Sequence, residues 1–183
     1  MTATKRIAFE QIILVDEHNR EIGQAEKLAA HQQNLLHRAF SVFIFRETPS
    51  ATRELLLQQR ALHKYHSGGL WTNTCCSHPR PDETVIAAGE RRLKEELGIS
   101  TSLNDLGWFH YNAHFSNGLS ENEIDHVLVG RVPADIEVNP DPEEIHAYRW
   151  IAVDELEKEL AEYPERFTPW LKNALHIAVY THP

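Results

Sequence analysis

The chain has 183 residues, 42% of them hydrophobic and 25% charged, with a formal net charge of −9. That length and balance suit one globular domain burying about two-thirds of its accessible surface, and they exclude a disordered chain. The acidic balance also argues against a nucleic-acid partner, so an anionic ligand must be held by a local basic cluster or by metal.

In chain order, FEQIILVDEHNREIG reads as two short strands about an Asp/His/Asn turn. RAFSVFIF and RELLLQQRA are β-rich runs joined as a hairpin, and WTNTCCSHP is strand-like up to its proline. DETVIAAGERRLKEELG is a helix in which Ile86, Leu93 and Leu97 share an apolar stripe, with Asp82 as its cap and Gly98 at its C-terminal end. GWFHYNAHF, IDHVLVGRV and AYRWIAV add strands, and DELEKELAEY and PWLKNALHIAVY close the chain as helices. The expected fold class is α+β, a mixed sheet with helices packed over it, in one domain spanning 1–183. No apolar run approaches the ~18 residues of a membrane span, and MTATKRIAFE lacks a signal peptide's apolar core. The two cysteines are adjacent and lack framework spacing, so a reducing cytoplasm is the expected setting.

The helix carries the first chemical signal. Seven residues separate Glu83 from RRLKEELGI, Arg91 to Ile99, and that spacing resembles the Nudix box. Glu83, Arg91, Leu93, Glu95, Glu96, Gly98 and Ile99 match it; Ser77 stands where the box has glycine, and Arg92 where it has glutamate. A plainer reading is a solvated face with Arg91–Glu95 and Arg92–Glu96 pairs, each worth about 0.2–0.5 kcal/mol. Pyrophosphate hydrolysis needs a dense acidic cluster to bind magnesium and activate water, whereas an arginine at this place favours gripping a phosphate.

His31, His37, His78, Glu121 and Glu123 form a second signal, because imidazoles with carboxylates suit a divalent transition metal. Glu121 and Glu123 share a side on an extended segment. The alternative is that these are ordinary surface or core side chains among twelve histidines. Alternation likewise puts Cys76 and His78 on one side of their strand and Cys75 on the other. Two structural cysteines, or a vicinal disulfide, are the competing reading of that pair.

KLAAH, LLHRAFSVFIF, LLLQQRA, WTNTCCSHP, the altered box, ENE and FTPW occur here in the order seen in type I isopentenyl diphosphate isomerases. The chain resembles that family from about Lys27 to Trp170, and TNTCCSHP followed by ENE is the specific part. The resemblance implies a Nudix-like fold and the interconversion of isopentenyl and dimethylallyl diphosphate in isoprenoid synthesis. It implies Cys76 and Glu123 as proton carriers assisted by Tyr111. It also implies His31, His37, His78, Glu121 and Glu123 as ligands of Mn²⁺ or Zn²⁺. Glu96, with Cys76 through its backbone carbonyl, would serve Mg²⁺ bridging to the diphosphate, which Lys27, Arg60, Lys64 and Arg92 would grip. Trp170 and Trp71 offer ring faces to a carbocation, with core packing as the alternative for each. The expected partner is a small diphosphate, without nucleic acid or membrane, and the expected state is a monomer. A Nudix hydrolase and a non-catalytic diphosphate- or metal-binding module are the rival functions; the second leaves Cys76 and Tyr111 without a role.

Overall fold

In the structure, a computed structural model that describes residues 10–64 and 66–181, the run RAFSVFIF becomes the middle of β3 (His37–Glu47). β3 is buried on both faces, which is why its sequence is a nearly continuous apolar run instead of an alternation. One edge of β3 pairs in parallel with β8 (Ser120–Val132) from His37↔Glu123 to Arg46↔Val132. The other edge is shared in succession by β1 (Gln11–Val15), β6 (Cys75–Ser77) and β4 (Arg53–Arg60), all antiparallel to it.

The remaining strands extend this sheet. β2 (Glu21–Glu26) pairs with β1 about the expected turn, and the short helix α1 (Lys27–Gln32) follows it. β5 (Trp71–Thr72) and β9 (Ile145–Ala152) flank β4, and β7 (Asn104–His114) lies antiparallel to β8. ENE, read from sequence as a segment of its own, is part of β8.

WTNTCCSHP is two strands, because the chain crosses there from β4 to β3. At the crossing, side chains replace ladder bonds. Asn73 Nδ2 donates to the Val42 and Cys75 carbonyls at 3.1 and 2.9 Å. Thr74 Oγ1 donates to the Leu56 carbonyl at 2.7 Å and accepts from the Ile44 N–H at 2.9 Å. Gln58 Nε2 donates to the Thr74 carbonyl at 2.7 Å. These bonds satisfy buried polar groups at the crossing, where the Val42 carbonyl accepts from the Thr74 N–H as well.

Alternation along β3 sorts the core into two clusters. Phe43 and Phe45, with Leu55, Leu57, Val127 and Val129, meet α3 (Val153–Glu162) and α4 (Leu171–Tyr180). Phe40, Val42 and Ile44, with Leu56 and Leu128, meet α2 (Val85–Leu97). Among the described residues, no helix is long and apolar enough to cross a membrane.

Two details of α2 correct the sequence reading. Asp82 lies outside the helix with φ 65°, and the cap is Thr84, whose Oγ1 accepts from the Ala87 N–H at 3.1 Å. Gly98 does end the helix, in the left-handed region at φ 68°. The buried face also includes Gly89, where a Cβ would stand 2.6 Å from Leu128 Cδ1, so helix and sheet lie close together there. Leu93 and Leu97 keep their place in the stripe, but Ile86 falls on its border and is 37% exposed. Leu93→Ala is therefore expected to cost about 2–5 kcal/mol in urea unfolding, and Ile86→Ala well under half as much.

Candidate active site

One face of β3 changes character along its length. Past its midpoint it is apolar, at Phe43 and Phe45; before it, the same face carries His37 and Ser41. The parallel register sets Glu123 beside His37 and Asp125 beside Ala39, and the antiparallel register of β6 sets Cys76 beside Ser41. His78 follows β6, and α1 lays His31 over the end of the group.

His31, His37, His78 and Glu123 each bring one ligand atom to within 4.8 Å of the others, and all four are buried. Carbonyl oxygens orient two of the imidazoles. His31 Nδ1–H donates to the Lys27 carbonyl at 2.7 Å and His37 Nδ1–H to the Leu35 carbonyl at 2.8 Å. A carbonyl only accepts, so in the neutral rings both Nε2 atoms are left as lone pairs for the group. His37 Nε2 and His78 Nε2 lie 3.3 and 3.2 Å from Glu123 Oε1. Burial lowers His31 to about 4 and His78 to about 3, so both are neutral, the form that binds metal. Glu123 is also buried, yet without an ion in the group an Nε2–H donated by His37 in its doubly protonated form, and one donated by His78, hold it below the usual carboxylate range. This donor set fits a divalent ion. Glu121 lies outside the group, with Oε1 3.0 Å from His66 Nε2.

Beside this group stands the thiol of Cys76. Burial, with the charge of Asp125, pushes it up to about 12, so it is a thiol at neutral pH. Its Sγ donates to Asn73 Oδ1 at 3.2 Å and lies 3.5 Å from Ser41 Oγ, which in turn donates to the Asp125 carboxylate at 2.9 Å. Tyr111 faces Glu123 across the β7–β8 ladder, and its buried hydroxyl has no hydrogen-bond partner among the described residues. The ring of Trp170 meets that of Tyr111 edge-on at 6.0 Å. Cys75 points the other way, into the core under α2, and both thiols are free.

The basic residues gather at the adjoining end of α2. Arg92 Nη2 lies 3.5 Å from Glu96 Oε2 and 3.6 Å from Glu144 Oε1, and Lys64 is paired with Glu144. Burial pushes Glu96 up to about 7, partly opposed by Arg92, Lys64 and Arg60. Lys27 sits 3.6 Å from Glu10 and, with Lys64 and Arg92, draws Glu144 down against its own burial. Arg60 Nε, Arg92 Nε and Glu96 Oε2 are buried without a hydrogen bond, although Glu96 Oε2 is ion-paired with Arg92 Nη2. Arg60 also reaches over the Trp170 ring, at 5.7 Å, joining the basic end to the apolar end.

Of the expected residues, Trp71 alone sits apart: its ring lies 4.8 Å from the Arg149 guanidinium, against the core beneath α4. The expected helix pairs Arg91–Glu95 and Arg92–Glu96 are both present at 3.5 Å, beside shorter bonds to other partners. Arg91 grips Glu83 with two bonds of 2.8 and 2.9 Å, and Arg92 takes Glu95 at 2.8 Å. Sequence reasoning missed Ser41, His66, Asn73, Asp125 and Glu144. Asp125 had a signal, since it continues the alternation of Glu121 and Glu123 along β8. Glu144 had none, because it comes from the loop before β9.

The NUDIX domain family model matches residues 35–171. Isopentenyl-diphosphate Delta-isomerase of Photobacterium profundum is 49% identical to the chain, covering 94% of it and 96% of the relative. The protein of the same name from Burkholderia multivorans is 52% identical and covers 88% of each chain. DR0079 of Deinococcus radiodurans shares the fold with a TM-score of 0.72 at 19% identity, covering 93% of this chain and 99% of its own. An Ap4A hydrolase of C. elegans does so with a TM-score of 0.55 at 20% identity, covering 76% and 93%, so the fold itself does not choose the reaction. The identities with the isomerases and the family match together place this chain in the isopentenyl-diphosphate delta-isomerase family, on a NUDIX fold.

Proposed function

We propose that the chain interconverts isopentenyl and dimethylallyl diphosphate by two proton transfers at Cys76 and Glu123. The observation that carries this reading is a protonated thiol and an ionised carboxylate on one buried face, beside a basic cluster with unused donors. An unactivated alkene is a weak base, so its protonation needs a well-placed acid and yields a tertiary carbocation. Loss of a proton from the neighbouring allylic carbon then leaves the double bond shifted. The substrate gains one proton and loses another, and no bond to oxygen changes.

The resting charges support Cys76 as the donor to the terminal methylene and Glu123 as the acceptor from the allylic carbon, with the roles exchanged in the reverse direction. The two side chains come from strands on opposite edges of β3, so a flat five-carbon tail can lie between them. Tyr111 brings a hydroxyl to the Glu123 side. Trp170 turns a ring toward the developing cation, worth about 2 kcal/mol or more where water is excluded. Lys27, Arg60, Lys64 and Arg92 grip the diphosphate, which undergoes no chemistry but fixes the tail in reactive geometry.

His31, His37, His78 and Glu123 would hold Mn²⁺ or Zn²⁺, and Glu121 would join them on leaving His66. Glu96 and the Cys76 carbonyl would hold Mg²⁺ against the diphosphate. Bound, these ions supply positive charge that keeps Glu123 ionised and oriented and helps neutralise the diphosphate. Hydrolysis is disfavoured, because Arg92 occupies a place where the Nudix box has a glutamate and is itself paired with Glu95.

The deciding experiment is NMR in D₂O with purified protein, Mg²⁺ and isopentenyl diphosphate. Deuterium-labelled dimethylallyl diphosphate is expected; released phosphate without isomer would instead indicate hydrolysis. In the same assay Cys76→Ala should abolish turnover while diphosphate binding survives, whereas Cys75→Ala loses only packing stability. An epoxide analogue bearing the diphosphate should label Cys76, and a label on Cys75 would reverse that assignment.

Trp170→Phe keeps an aromatic face and should retain part of the activity, while Trp170→Ala should retain almost none, with folding intact. Equal rates in the two would return Trp170 to a packing role. Glu96→Gln should weaken Mg²⁺-dependent diphosphate binding, because a neutral amide is a poorer ligand for a hard cation. Titration of the variant with Mg²⁺ and diphosphate checks this, and unchanged affinity would remove Glu96 from the site.

A further inference from the structure

Cys76 and Trp170 stand 94 residues apart in the chain, yet a single atom touches both. Asn73 Oδ1 accepts from Cys76 Sγ at 3.2 Å and from Trp170 Nε1 at 3.2 Å. It also accepts from Thr72 Oγ1 at 2.8 Å, and Thr168 Oγ1 lies 2.7 Å from that hydroxyl. Because the Thr72 hydrogen is directed at Asn73, Thr168 is the donor in the second contact. The amide cannot turn over. Both Nδ2 hydrogens go to carbonyls, those of Val42 and Cys75, and a flipped amide would set its oxygen against two acceptors. Asn73 is completely buried, so no water competes for any of these bonds.

Resting on the isomerase reading, we propose that Asn73 is a positioning residue that sets the Cys76 thiol and the Trp170 indole in register. The proton donor and the ring that meets the cation come from separate parts of the fold, β6 and the start of α4. A fixed amide between them holds both to one point. That gives a common purpose to Thr72, Asn73 and Thr168, which flank the reactive residues in WTNTCC and FTPW and have no other task in the reaction. Displacement of either group by a fraction of an ångström weakens the transition state more than substrate binding, since the diphosphate is held elsewhere.

The test uses the full chain labelled with ¹⁵N in its tryptophans, of which there are four. Trp170→Phe identifies the Trp170 indole resonance by its loss. In Asn73→Ala without substrate, that resonance is expected to move while the other three stay. With isopentenyl diphosphate, kcat should fall by about 100-fold with KM nearly unchanged. The double variant with Trp170→Phe should lose less than the product of the two single losses. Equal losses in kcat and substrate affinity, an unmoved indole resonance, or multiplicative losses would each overturn the proposal.

Should Asn73→Ala fail to fold, Thr72→Val removes one competing donor from Asn73 Oδ1 and leaves both Nδ2 bonds. The Trp170 indole proton should then shift downfield as its own bond tightens, and an unshifted proton would overturn the shared acceptor. The indole measurement needs no turnover, so failure of the wild-type protein to isomerise would sink the isomerase reading without being mistaken for failure of this network.

Discussion

Everything in this molecule depends on β3 being buried on both faces while sharing one edge among three strands. A strand in that position must be apolar on the side that meets α2. On the other side it is free to be divided. Phe43 and Phe45 close the core under α3 and α4, and His37 and Ser41 begin a buried polar cluster in the same row. Chemistry and core are thus continuous, and the cluster inherits rigidity from side chains packed one residue pair away.

The polar half of that face is an electrostatic problem solved locally. β8 sends Glu121, Glu123 and Asp125 inward, a concentration of carboxylates that burial alone would force to take up protons. Each has a different partner: His66 for Glu121, His37 and His78 for Glu123, and Ser41 for Asp125. The result is graded. Glu123 is ionised, while burial, with Glu123's charge next, raises both Glu121 and Asp125. Neighbouring carboxylates with opposite shifts are a signature of groups prepared for proton chemistry.

The helix α2 keeps the frame of the Nudix box while altering its charges. Its glycine, its apolar stripe and its left-handed end preserve the packing of the NUDIX fold. Glu83 and Arg91 are occupied with each other. Arg92 reaches instead toward Glu95, Glu96 and Glu144, which turns that side of the helix from an acidic cluster into a mixed one with cationic donors to spare. In a chain of net charge −9, the proposed diphosphate binding rests on this local concentration of Arg and Lys.

Sequence alone determined much of this protein. Period-two and helical patterns located the strands, α2 and the closing helices, because those patterns are set by which face is buried. Alternation also separated Cys75 from Cys76 and placed Glu121 and Glu123 on one side. Local reasoning failed where distant segments compete for a group. Ile86 obeyed the stripe yet lies at its border, because the buried face of the helix runs through Ala88, Gly89, Leu93 and Leu97. Trp71 and Trp170 are alike as residues, and only tertiary packing sent one beneath Arg149 and the other to Asn73. Glu121, expected among the metal ligands, has its carboxylate 3.0 Å from a histidine of the loop after β4, a contact between distant segments that no local pattern announces. Asn73 was visible as a letter in a motif; its function as a common acceptor needed a partner 97 residues away, brought within reach by the fold. Hydrogen bonds across such separations leave no periodicity in the chain, and they were decided only when the sheet and α4 closed on one another.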